Sequence, residues 1–303
     1  MCRKLAVLIP LLTVIIGLTA KLYSQSPGEL KTKEENPVYF GVIPRDNPRI
    51  TYEKYQPIID YLSESTPYTF ELDLRKTYLD TVAALGSGET DVAFLGPLTY
   101  LHAHADYGAV PILKSITKKG KPYYKSVVVT KESNPIKHLS ELKGKSVAFS
   151  SLKSTSGNLI PRYVLANAGI HVKELRRHSQ FDYQDSVVKW VLKGEYDAGT
   201  VRESVAEKYV PLGLKIISIS DPIPTGPVVA GPKTSMKIIE VIRNTLLNMK
   251  NTAAGKEALK KVDVELRDGF IAARDSDYEH IRRMINAVPT GCGIGCHPKI
   301  KKL

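Results

Sequence analysis

Cysteine is nearly absent from this chain. Its 303 residues hold three: Cys2 ahead of the single long apolar run, and Cys292 and Cys296 near the C-terminus. No cysteine stands directly after the run, which argues against a lipoprotein anchor, and no clean Ala-x-Ala cleavage site follows it either. Acidic residues are the minority, 31 against 43 Lys and Arg, leaving a formal charge of +12. That surplus speeds encounter with anionic ligands and favours anionic lipid. The basic residues are spread along the chain without interleaved aromatics, so nucleic acid is not an expected partner. A glycine-rich phosphate loop, a nucleophile beside a base, and paired carboxylates at a catalytic spacing are all missing, and no enzyme is expected. Asp91 and Asp197 follow short turns and read as caps. No short-period repeat is visible, and 43% hydrophobic residues with 24% charged ones do not suggest disorder.

What is present begins at the N-terminus. Arg3 and Lys4 precede an apolar run over residues 5–20, interrupted mildly by Pro10, Thr13 and Thr19. This reads as an export signal. Sixteen helical residues span roughly 24 Å, short of a bilayer core of about 30 Å, and Leu22 and Tyr23 extend the stretch. Residues 1–24 are therefore either a cleaved signal peptide or an N-terminal membrane anchor, and both stay open. In either case the basic residues remain inside and the rest is exported, periplasmic or at the cell surface. Residues 25–37, polar and rich in Lys, Glu, Ser and Pro, form a linker.

Periodicity then alternates. Residues 38–43 form a short apolar strand, 52–64 place Tyr55, Ile58, Ile59 and Leu62 on one helical face, and 70–74 alternate as a strand. A helix over 78–87 and a buried strand over 92–95 follow. The pattern restarts after Tyr124, with strands at 126–130, 146–149, 198–201 and 214–219. Helices fall at 156–168 and 185–192, and further helices at 238–249, 255–262 and 278–288. The βαβα order implies mainly parallel sheets covered by helices, with the second unit inserted in the first.

The most informative segment is Ser150-Ser151-Leu152-Lys153-Ser154-Thr155-Ser156-Gly157, between a strand and the start of a helix. Helix N-termini present unpaired N–H groups and partial positive charge, which suits a tetrahedral oxyanion. Hydroxyls there donate further bonds without adding charge. An ordinary N-cap with a serine-rich turn is the alternative.

Several motifs in order carry a resemblance. They are Gly41-Val42-Ile43-Pro44 with Asn47-Pro48, Tyr55-Gln56-Pro57-Ile58, Tyr78-Leu79-Asp80, and Gly88-Glu89-Thr90-Asp91 through Tyr100. Leu142-Lys143-Gly144-Lys145, the Ser-Thr-Ser-Gly turn and Lys193-Gly194-Glu195-Tyr196-Asp197 follow. Together they resemble the periplasmic phosphate/phosphite/phosphonate-binding family that serves ABC transporters. The resemblance implies an α/β, two-lobed periplasmic binding protein fold of type II-like form, with two mixed sheets and helices joined by hinge strands near 124–130 and 224–230. Residues 38–124 and 228–288 would form one lobe and 125–227 the other. It places ligand contacts on Tyr78, Tyr100, Ser154, Thr155 and Ser156, with Gln184 where aminoalkylphosphonate binders carry His, and Glu203 as a second-lobe acid. Gly226 stands where the family commonly has an acid in its Ile-Pro-x-x-Pro return. Both departures disfavour a ligand amine and favour a simple phosphorus oxyanion, taken up for an ABC permease or a sensor.

The tail over 289–303 departs from that pattern. Cys292 and Cys296, followed by His297, resemble a c-type haem attachment site, with three residues between the cysteines instead of the common two. Covalent haem c, with His297 on iron and Met284, His280, His102 or His104 opposite, is one reading. A Cys292–Cys296 disulfide and a labile metal site are the others. With haem, the chain would be a monohaem cytochrome on a binding-protein scaffold with a redox partner.

Overall fold

In the computed structural model, the described residues are 36–117 and 119–287. The first lobe opens with strand β1 (Val38–Val42), helix α1 (Pro48–Ser65), β2 (Phe70–Leu74), α2 (Tyr78–Ser87), β3 (Val92–Phe94), α3 (Pro97–Tyr107) and β4 (Val110–Ser115). Asn47 starts α1 four residues earlier than the apolar spacing suggests. Its side chain accepts from Ile50 N at 3.1 Å, and Pro48, whose missing N–H costs nothing in the first turn, follows it. Thr77 and Asp80 cap α2 reciprocally.

The chain crosses to the second lobe through β5 (Tyr123–Tyr124) into β6 (Ser126–Lys131). It continues through β7 (Ser146–Ser150), α4 (Ile160–Asn167), β8 (Arg177–Phe181), α5 (Gln184–Leu192), β9 (Ala198–Arg202), α6 (Glu203–Tyr209) and β10 (Leu214–Ile219). It returns through β11 (Ile223–Pro224), which pairs antiparallel with β5, into β12 (Pro227–Ala230). Helices α7 (Met236–Asn248) and α8 (Ala253–Lys261), strand β13 (Phe270–Ala272) and α9 (Glu279–Ala287) complete the described chain.

The first sheet has the order β13-β4-β12-β3-β1-β2 and the second β10-β6-β9-β7-β8. Both are mixed. β12 runs against β3 and β4, β13 against β4, and β6 against β9 and β10. Alternation on each strand feeds the two faces. Val92 and Phe94 enter one core with α1 and α7, while Ala93 and Leu95 enter another with α2, α3 and α9. On β6, Val127 and Val129 face one core and Val128 the opposite one. Leu159 and Ile160, which follow β7, belong to the same core as Leu98, Leu101 and Ile281, so apolar packing joins the lobes there.

Candidate functional site

The serine-rich turn leaves the C-terminal end of β7, the edge where open α/β sheets gather ligands. Residues 154–156 are buried. The expected helix over 156–168 begins differently: Thr155–Leu159 is a π-turn, with Leu159 N bonded to Ser154 O at 3.1 Å, and the α-helix starts at Ile160. Such wide turns concentrate at functional sites. Side chains from around the turn fix it. Ser154 Oγ accepts from Gly157 N at 3.1 Å, Ser126 Oγ donates to Ser156 O at 2.6 Å, and Thr200 Oγ1 donates to Gly157 O at 2.7 Å. Gly157 is required by space, because a Cβ there would lie 2.2 Å from Ser150 Oγ. Thr155 faces the other lobe, and its Oγ1 accepts from Leu98 N, in the first turn of α3, at 3.0 Å. Two helix starts thus approach each other across the lobes, each with partial positive charge.

Beside them lies a charged cluster. Arg202, at the end of β9, pairs in register with Ser126, the residue that holds the turn. Its guanidinium lies over the Tyr124 ring at 4.4 Å and is ion-paired with Glu265. Glu265, from the segment after α8, also accepts from Arg45 Nη1 at 2.8 Å. Arg45 follows β1 and bonds Tyr55 as well. Lys54 pairs with Asp46 and with Asp263, the latter at 3.0 Å. Gln184 Oε1 accepts from Arg202 N at 2.8 Å. Burial pushes the Tyr78 phenol up to about 12, against the pull of Arg45 and Arg202, so it stays a neutral donor. Burial lowers Arg202, and Arg45 nearby adds to this. Arg45, Asp46, Lys54, Gln184, Arg202 and Asp263 line a small polar cavity between the lobes. A wider depression of about 740 Å³ lies elsewhere, lined by exposed Lys250, Lys256, Lys260 and Arg267, and takes in no residue of the turn.

Residues 40–278 match the family of ABC-transporter, phosphonate, periplasmic substrate-binding proteins. The chain belongs to this family. It is 23% identical over 274 residues to the phosphate-import protein PhnD of Mycolicibacterium smegmatis, covering 82% of this chain and 84% of the relative. Among solved structures, the binding-protein component of an ABC phosphonate transporter from Pseudomonas aeruginosa superposes with a TM-score of 0.76. That match has 20% identity and covers 83% of this chain and 86% of the other. PhnD1 of Prochlorococcus marinus, in complex with methylphosphonate, superposes with a TM-score of 0.74 at 20% identity, covering 82% and 97%. The two-lobed binding-protein fold is thereby established.

Within this family fold, not every expected contact gathers at the turn. Ser154, Thr155 and Ser156 form it, while Tyr78 and Gln184 lie by the Arg45–Arg202 cluster. Tyr100 turns away: its hydroxyl donates to Asp275 Oδ1 at 2.6 Å, and its ring packs 4.8 Å from that of Tyr278. Glu203 also faces elsewhere, paired with Lys119 Nζ at 3.2 Å, while its neighbour Arg202 occupies the cluster. At Gly226 a Cβ would meet Leu95 O at 2.2 Å, so this backbone has no room for the acid the family commonly carries there. Arg45, Tyr124, Arg202 and Glu265 were missed by sequence reasoning. The available signal was position, since Arg45 and Arg202 both sit just past or at the C-terminal ends of strands.

The tail residues Cys292, Cys296 and His297 lie outside the described residues, as do the apolar run over 5–20 and the linker up to residue 35. Of the named distal iron candidates, Met284 is buried in the core that joins the lobes, and His104 Nδ1 lies 2.9 Å from Ala109 O. Among the described residues no group of three or more His, Cys, Asp or Glu is arranged to hold a metal, and no helix is long and apolar enough to cross a membrane.

Proposed function

We propose that this chain captures a small phosphorus oxyanion, such as phosphate, phosphite or methylphosphonate, between its lobes in the periplasm and presents it to an ABC permease. The observation that carries the reading is the Leu98 N to Thr155 Oγ1 bond, which brings the α3 start against the hydroxyl-rich turn. Two N–H-rich helix starts, serine and threonine hydroxyls, and a neutral Tyr78 phenol favour bound negative charge without requiring a metal. Family membership, the phosphate-import relative and the methylphosphonate-bound relative agree with this ligand class. The absence of room at Gly226 and the amide at Gln184 favour simple oxyanions over amine-bearing ones.

Isothermal titration of the exported domain against phosphate, phosphite, methylphosphonate and 2-aminoethylphosphonate tests the proposal. Saturable heat is expected from at least one of the first three, and no heat from any member contradicts it. Delivery to a permease belongs to the same proposal and is tested by uptake of the bound ligand in cells with and without the chain, while fractionation of the full chain separates a cleaved signal peptide from a membrane anchor at residues 1–24.

A further inference from the structure

Arg202 is more than a lobe-to-lobe ion pair. Its side chain is about nine-tenths buried, yet its Nε has no hydrogen-bond partner. A buried, unmet donor on a charged group is costly and is normally satisfied by something that binds. The group lies on the small interlobe cavity together with Gln184 and Arg45. Its strand partner Ser126 holds the carbonyl of Ser156, so the guanidinium and the turn share one frame. The planar guanidinium has five donors in a fixed fork, so one edge can engage Glu265 while Nε serves another acceptor.

We infer that Arg202 is a specificity-determining residue of the cleft, whose Nε edge reads negative charge on the bound oxyanion while its Nη1 pairs with Glu265 of the other lobe. This rests on the proposed oxyanion function and names what that site selects. An anionic oxygen satisfies the unmet Nε. A ligand whose substituent carries an ammonium places like charge beside Arg202 and Arg45 and is rejected. Glu265 lies between the two guanidiniums and screens their repulsion. Asp46 and Asp263 are paired with Lys54, and Nε is the atom of Arg202 that no protein group meets.

The test titrates wild type, Arg202→Gln, Arg202→Lys and Glu265→Gln with phosphate, methylphosphonate, 2-aminoethylphosphonate and sulfate, with thermal melts as a folding control. Arg202→Gln is expected to weaken phosphate or methylphosphonate by about tenfold or more, as for a lost bond to a charged group. It should change 2-aminoethylphosphonate by less than about threefold, narrowing the preference. Arg202→Lys, which keeps the charge, should fall between and serves if the Gln variant does not fold. Glu265→Gln should move every ligand alike. Equal weakening of all ligands by Arg202→Gln overturns the inference, because the residue then acts only through closure. If wild type takes sulfate and no phosphorus ligand, the oxyanion assignment fails while Arg202 is still judged on sulfate: a tenfold loss sustains it and no loss overturns it. If wild type binds none of the four, both fall.

Discussion

Leu98 N donates to Thr155 Oγ1 at 3.0 Å, and this bond joins the start of a first-lobe helix to the serine-rich turn of the second lobe. The hydroxyl holds the lobes together and, on the proposed function, also lines the anion site. Thr155→Val keeps the shape and removes the polar atom. Loss of one such bond costs about 1–3 kcal/mol when its partner stays buried. Ligand affinity is expected to fall by roughly five- to a hundredfold, with small-angle scattering showing a less compact liganded form. An unchanged dissociation constant would put the ligand elsewhere.

Tyr100 and Glu203 make the opposite prediction. The Tyr100 hydroxyl is committed to Asp275, which also takes Arg282 Nη2 at 2.9 Å, and Glu203 is committed to Lys119. Tyr100→Phe and Glu203→Gln should both leave ligand affinity within about twofold. Tyr100→Phe alone should lower stability, by about 1 kcal/mol for one hydrogen bond, as read by urea denaturation. A large affinity loss in either variant would return that residue to the ligand pocket.

Three aspartates set the acid limit of stability. Burial alone would raise Asp197, Asp263 and Asp275, but their partners hold all three below the ordinary range. These partners are the Ser146 amide and hydroxyl with Arg176 for Asp197, Arg45 with Lys54 and Arg202 for Asp263, and Tyr100 with Arg282 for Asp275. Such groups bind protons more tightly in the unfolded chain. Their stabilisation is complete above the unfolded value of about 4 and is lost as pH falls through the lower folded values. Asp91, raised by burial, runs the other way and offsets part of the loss. Burial, with Arg162 nearby, holds His178 below its ordinary value, so the melting temperature should slope down gently as pH falls from 7 to 5 and drop more steeply below about 4. Asp197→Asn should flatten that drop, and an acid limb unchanged in this variant would contradict the assignment.

Much of the fold was legible because burial follows period. The spacing of Tyr55, Ile58, Ile59 and Leu62 marked α1, and the apolar run at Val92 marked β3, since both bury one face or two against a sheet. Strand β8, Arg177–Phe181, was not legible: it is a polar edge strand, paired on one side to β7, and shows no apolar run. The turn at Ser154 was legible from its hydroxyls, but its π geometry was not. That geometry depends on Ser126 and Thr200, distant in sequence, which bond its carbonyls. Arg45 and Arg202 look like surface charges in sequence, and only the fold brings the chain after β1, the end of β9 and the segment carrying Glu265 together.

Haem attachment at Cys292, Cys296 and His297 stands as a separate proposal, resting on the motif alone. It predicts a Soret band that survives acid–acetone extraction of the full chain produced with periplasmic haem maturation, and a pyridine haemochrome spectrum. A colourless protein that yields two thiols only after reduction would assign the pair to a disulfide.

On the proposed function, the two lobes close on a phosphorus oxyanion at the Ser154-Thr155-Ser156 turn. Calorimetric titration of the exported domain, wild type beside Thr155→Val, tests it most directly. Saturable one-to-one heat with phosphate, phosphite or methylphosphonate is expected, weakened in the variant. Absence of heat from all three in wild type, or equal affinity in the two proteins, would contradict it.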